Sequence, residues 1–155
     1  MPVLPEYSLA GRVAILATSG GEEAPVLAQA LAEAGSAVFV VARRQASLEA
    51  VLKRLSGLDG TYGGVVAEVS TASGLAEAMR AFDLSGDVPS PLMGEGQDGG
   101  EVQVQRRRVD ILGNDARSPF ARPFTEITPE EWDTVQARNV RATFLLCQEV
   151  GRRMI

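Results

Sequence analysis

The sequence predicts an α/β domain in which about four parallel strands form a sheet with helices on both faces. Two observations carry this. Short apolar runs rich in β-branched residues alternate with stretches whose apolar residues recur at helical spacing. A helix-length connection separates each run from the next, as parallel neighbours require. A third observation bears on the outline: a polar, glycine-rich stretch before the fourth strand offers almost nothing to bury.

Arg12–Ala17 (RVAILA) reads as the first strand, and Pro25–Ala34 as a helix with Val26, Leu27, Ala30 and Leu31 on its apolar spacing. Gly35 suits the helix C-cap. Ala37–Ala42 (AVFVVA) is a continuous apolar run, the pattern of a strand covered on both faces. Ser47–Leu55 reads as a second helix with Ser47 at its N-cap, Gly64–Val69 as the third strand, Thr71–Phe82 as the third helix and Val109–Leu112 as the fourth strand. Thr128-Pro129-Glu130-Glu131 then opens a long last helix: a threonine cap, a proline in the first turn and acids at the positive end of the helix dipole. It runs through Trp132, Val135, Val140, Phe144, Leu145 and Val150 to the end of the chain.

The interruption is 83–107, DLSGDVPSPLMGEGQDGGEVQVQRR, which has no aromatic anchor and no periodicity. It is expected to be a disordered insert within a single domain spanning 1–155, the other reading being a functional lid. Trypsin is expected to cut first at Arg106, Arg107 or Arg108.

A chain of 155 residues is long enough to bury one proper core. Its net charge of −5 argues against an electrostatic nucleic-acid binder. The absence of histidine removes imidazole bases and imidazole metal ligands, and the single cysteine, Cys147, excludes an intrachain disulfide and a thiolate metal cluster, so no metal is expected. The segment MPVLPEYSLAGR has no basic n-region, and no apolar stretch approaches the ~20 residues of a membrane span. A cytoplasmic protein without membrane partners is expected.

The first strand, a short turn and an alanine-rich helix form the opening unit of a dinucleotide-binding fold, where a helix N-terminus meets a pyrophosphate. Such turns use glycine so that the backbone can approach the phosphates. Here the turn is Ala17-Thr18-Ser19-Gly20-Gly21-Glu22-Glu23-Ala24-Pro25, with two carboxylates where an anion would sit and a proline that removes a backbone donor. Glu22 and Glu23 are expected to serve the helix's own positive end and to repel a pyrophosphate.

These residues resemble the short-chain dehydrogenase/reductase family over nearly the whole chain outside 83–107. LAGRVAIL is similar to the family's first strand, AEAGSAVFVVARR to its helix-to-second-strand junction, VVAEVS to its third-strand end and RVDILGNDA to its fourth strand and Asn-Asn-Ala-Gly turn. The longest match, ITPEEWDTVQARNVRATFLLCQEVGRRM, resembles its fourth helix. The resemblance implies a partial Rossmann-like doubly wound sheet in strand order 3-2-1-4. The family's Thr-Gly-x-x-x-Gly-x-Gly turn falls on Ala17, Thr18, Glu22 and Ala24, so its glycines are replaced, while Gly20 and Gly21 stand inside it.

Carried over position by position, the resemblance implies cofactor contacts from Thr18, Ser19, Gly20, Gly21, Arg43, Arg44, Glu68, Val69, Asn114 and Ala116. Arg43 and Arg44 follow the second strand, where an arginine suits the 2′-phosphate of NADP and an acid the free ribose of NAD. Two readings stand for them, NADP selectivity and ordinary solvated arginines. Glu68 takes the place of an adenine-contacting aspartate. Arg117 stands where the family has glycine, and Asn139 matches the helix asparagine of the family's proton relay.

In that family a serine, a tyrosine acting as acid/base and a lysine that lowers its pKa follow the fourth helix. Here the tyrosines are Tyr7 and Tyr62 and the lysine is Lys53, at no such spacing. The expected function is therefore that of the nucleotide-binding half of an NAD(P)-dependent oxidoreductase for a carbonyl or alcohol, with NADP or NAD bound weakly or not at all and no turnover by this chain alone. The competing readings are a non-catalytic interaction or oligomerisation module, and a remnant without function. The fourth strand's outer edge and the last helix are expected to favour a homo-oligomer, or a partner that supplies further strands.

Overall fold

Six consecutive buried residues, Val13–Thr18, form β1 at the interior of a four-stranded sheet. The computed structural model describes residues 5–85 and 107–155. In it β1 pairs on one side with β2 (Ala37–Ala42) and on the other with β4 (Ile111–Asp115), while β3 (Tyr62–Val66) lies beyond β2. All pairings are parallel, and the order is β3-β2-β1-β4. The register sets Thr18 against both Ala42 and Asp115, so three strands end level with one another.

Alternation along β1 divides the core between two layers of helices. Val13, Ile15 and Ala17 face α3 (Ala72–Leu84) and α5 (Ala142–Met154), together with Phe39, Val41, Met79, Phe82, Leu146 and Val150. Leu16, Val38, Val40 and Ala42 face α1 (Glu23–Glu33) and α2 (Gln45–Leu55). Phe39 and Phe82 meet edge to face with ring centroids 5.3 Å apart, a geometry that adds to simple area burial.

The buried face of α1 differs from the one its larger side chains suggest. Val26 and Leu27 are exposed, and Ala24, Ala28 and Ala32 meet the sheet. Alanine at every fourth position lets the helix lie close, which leaves no room beneath it for the branched residues. The helix begins at Glu23, two residues before the expected start, and Glu22 at the cap makes no side-chain capping bond. Its C-terminus closes as expected on Gly35, at φ +97°, with the Gly35 and Ser36 N–H groups donating to Ala32 and Leu31 carbonyls.

Other boundaries move for local reasons. Arg44, with extended backbone, caps α2, and Ser47 lies buried in its first turn instead of capping it. Thr71 caps α3, its hydroxyl accepting from the Gly74 N–H at 3.1 Å. Strand β3 starts at Tyr62 and ends at Val66, because Gly63 and Gly64 continue the pairing with β2; a Cβ at Gly64 would lie 2.5 Å from a Leu48 methyl. Glu68 and Val69 therefore sit in the loop after β3. The last helix is interrupted: α4 (Pro129–Gln136) passes through one π-helical turn, Ala137–Arg141, into α5. Thr128 and Glu131 form a complete capping box before it.

The flanks of the expected insert are folded. Asp83 and Leu84 are the last residues of α3, and Arg107 is buried. The Arg107 N–H and the Arg153 guanidinium both donate to the Asp83 carboxylate, and Arg107 also donates to the Phe82 carbonyl at 3.2 Å. The interior, 86–106, lies outside the described residues. No helix among the described residues is long and apolar enough to cross a membrane.

Candidate functional site

The C-terminal ends of the four strands converge at the turn that follows β1. Thr18, 2% exposed, donates its hydroxyl to Asp115 and accepts from the Gly20 N–H at 2.9 Å. The Ser19 N–H donates to the Asp115 carbonyl and the Ser19 hydroxyl to that of Arg117. The turn is thus stitched to the end of β4. Gly20 has φ +101°, and a Cβ there would lie 2.7 Å from the Arg44 guanidinium and overlap the Ser47 hydroxyl. Only glycine serves at this position.

Charge of both signs meets at this turn, with Arg44 against Gly20 and carboxylates against Gly21. A Cβ at Gly21 would stand 2.6 Å from a Glu23 carboxylate oxygen and 3.1 Å from one of Asp115. Asp115 is buried, with the Arg117 guanidinium 3.9 Å away. Glu22 and Glu23 lie exposed at the start of α1. Carboxylates of Glu23 and Asp115 thus stand beside Gly21, at the start of the helix.

Beyond β2, Arg43 is half-buried, while Arg44 is exposed and donates to the Ser19 carbonyl at 3.3 Å. Beyond β3, the Glu68 carboxylate turns back on its own loop and accepts from the Ser70 hydroxyl at 2.7 Å and the Ser70 N–H at 3.2 Å. Beyond β4, the Asn114 side chain donates to the Thr143 hydroxyl and accepts from the Ala116 N–H. Thr143 in turn donates to the Asn139 carbonyl at 2.8 Å.

Asn139 occupies the π-helical turn. Its side chain accepts from the Ser118 N–H at 2.6 Å and donates to the Ser118 carbonyl at 3.1 Å. Both polar atoms are spent on the loop after β4. A π turn places an extra residue in the helix circumference, so Asn139 points at this loop while its neighbour Arg138 reaches the cleft.

That cleft brings together Thr18, Ser19, Arg43, Glu68, Val69 and Ala116 of the expected residues, with Arg138 added. Gly20, Gly21, Arg44, Asn114 and Asn139 flank it instead of lining it. Its cavity of about 10 Å³ has room for a single water, so side chains must move to admit anything larger. Arg138 in the cleft, and Thr143 and Asp115 beside it, carry no signal in any sequence motif. The spacing of Asn139 and Thr143, four apart on one helix face, was the available signal for one of them.

Acid/base groups of the expected kind are absent from the cleft. Tyr62 opens β3 at the far end of the sheet and donates to the Asp59 carbonyl at 2.8 Å, with burial and the Asp59 charge raising its pKa. Lys53 lies on α2. Among the described residues no group of three histidine, cysteine, aspartate or glutamate side chains could hold a metal ion.

No family model matches the chain. Two curated relatives match almost all of it. The D-threitol dehydrogenase of Mycolicibacterium smegmatis is 27% identical over 150 residues, covering 97% of this chain and 50% of the relative. The L-xylulose reductase of Bos taurus is 28% identical over 150 residues, with the same coverage of both chains. Among solved structures, a short-chain type dehydrogenase/reductase from Mycobacterium marinum superposes with a TM-score of 0.75 at 22% identity, covering 96% of this chain and 52% of its own. One from Serratia marcescens gives 0.74 at 23%, covering 95% and 52%; at that identity both establish the fold alone.

These relatives point to the short-chain dehydrogenase/reductase family. The chain spans about half the length of the curated relatives it matches. The observed order β3-β2-β1-β4, with helices around the sheet, is Rossmann-like, as in those neighbours.

Proposed function

We propose that this chain is the nucleotide-binding half of an NAD(P)-dependent oxidoreductase for a carbonyl or alcohol substrate, and that it turns over no substrate alone. The observation that carries the proposal is the convergence of Thr18, Arg43, Val69 and Ala116 on one cleft at the carboxyl ends of parallel strands, where open α/β sheets bind their ligands. A dinucleotide fits only part of what is present. The Arg43 side offers a cation, whereas Glu22, Glu23 and Asp115 oppose a pyrophosphate at the start of α1. When bound, a nicotinamide cofactor supplies hydride chemistry; the chain's own residues position the turn through Thr18 and the loop after β4 through Asn139.

Calorimetric titration tests this reading. NADPH is expected to bind more weakly than about 1 μM, which corresponds to roughly −8 kcal/mol, and more tightly than NADH, with Arg43→Asp reversing the preference. Binding of either cofactor at or below that level, or no heat from either at millimolar concentration, would contradict it.

A second reading rests on a separate observation. Val140 and Phe144 are each 59% exposed on the last helix beside the unpaired edge of β4. This surface suits a second copy, or a chain that supplies further strands.

A further inference from the structure

We propose that Arg138 is a specificity-determining residue: with Arg43 it forms a two-arginine wall that holds a phosphate on the adenosine ribose of a nucleotide. This rests on the nucleotide reading above and goes beyond it in assigning the π-helical turn a part in ligand choice.

Arg43 enters the cleft from the end of β2 and Arg138 from the turn between α4 and α5. The ion pairs among the described residues use Arg12, Arg108, Arg117, Arg122, Arg152 and Arg153, so both cleft arginines stand without a carboxylate partner there. Glu68, which also lines the cleft, is held on Ser70. Arg43 and Arg138 line one cleft, and a pair of guanidiniums matches a phosphate, whose oxygens accept paired N–H donors.

The rest of the site polarises the choice. Glu22, Glu23 and the buried Asp115 surround the opposite end, where a 5′-phosphate would approach α1. Glu23 and Asp115 therefore stand on the pyrophosphate side, while Arg43 and Arg138 line the cleft with Glu68 beside them. A nucleotide carrying its phosphate on the ribose meets the arginines, and one carrying it at the 5′ position meets the carboxylates.

Adenosine 2′-monophosphate and adenosine 5′-monophosphate separate the two ends, because each has its phosphate at one of them. Titrated into the whole chain by NMR or calorimetry, the 2′ isomer is expected to bind at least about tenfold more tightly. Arg138→Ala should weaken the 2′ isomer by about tenfold and leave the 5′ isomer within about twofold, since Arg138 is exposed and supports no packing. If the 2′ isomer binds and Arg138→Ala does not change it, or if the 5′ isomer binds as tightly, the role of Arg138 is refuted while the nucleotide reading survives. If neither isomer binds at millimolar concentration, both fall together.

Discussion

The Arg153 guanidinium is 97% removed from solvent and meets the Asp83 carboxylate with two bonds, of 2.6 and 3.0 Å. It also lies 5.9 Å from the Phe82 ring centroid, with Arg107 over the same ring at 5.0 Å. The pair ties the end of α3 to the end of α5 and to the residue that leads into β4. Replacing both partners by apolar residues costs little, but removing Arg153 strips the buried Asp83 carboxylate of its two-bond partner and leaves it only the Arg107 N–H. Arg153→Ala should therefore lose about 3–5 kcal/mol of unfolding free energy, as read from urea transitions.

Asp110 makes a different clamp, between the starts of β1 and β4. Burial pushes its carboxyl pKa up, but the Val13 N–H and the Arg12 guanidinium, with Arg108 nearby, outweigh burial and hold it below the ordinary carboxylate range. A depressed folded-state pKa stabilises the protein fully above the unfolded value of about 3.9, and the contribution disappears as pH falls through the folded value. Asp110→Asn should accordingly flatten the loss of stability between about pH 5 and pH 2 that the native chain shows in acid urea titrations.

At the scale of elements, the interrupted last helix links the candidate site to the sheet. The π-helical turn presents Asn139 to Ser118 and Arg138 to the cleft. Asn139→Ala strands the Ser118 N–H and carbonyl, and should accelerate amide exchange of the loop after β4 while costing about 1–3 kcal/mol. Unchanged exchange at Ser118 would show that the loop is held by other contacts.

Element type was legible in the sequence wherever burial was two-sided. Ala37–Ala42 could be read to the residue because each side chain along it meets a helix layer or a neighbouring strand. The fourth strand starts two residues and ends three residues later than expected, because Gly113, Asn114 and Asp115 have no strand-like character; their place in the ladder comes from pairing with Leu16, Ala17 and Thr18. The third was misplaced by Gly63 and Gly64, of which Gly64 leaves room for Leu48 of α2. Within the site, the turn, Arg43 and Asn139 stood out by motif. Arg138 did not, because its direction depends on a π turn that neither propensity nor periodicity announces.

For the molecule as a whole, the sheet has β4 at one edge and the last helix beside it with Val140 and Phe144 exposed. Unpaired backbone next to apolar side chains favours association. Light scattering at micromolar concentration should show a species larger than one chain, and Phe144→Glu should shift it towards monomer. A monomer in the native chain would remove the second reading of its function.

The central claim is that a nucleotide-binding frame carries a turn whose charge opposes the pyrophosphate it would hold. Glu23 and Asp115 stand beside Gly21 and Glu22 is the N-cap of α1, and like charges at short range repel, less so in salt. The most direct test is to titrate NADPH into the native chain and into the triple variant Glu22→Gly, Glu23→Gly, Asp115→Asn under the same salt. The account predicts that the variant binds at least about tenfold more tightly, a gain of roughly 1.4 kcal/mol, with the gain reduced at high salt. Equal affinity of the two chains for NADPH would contradict it.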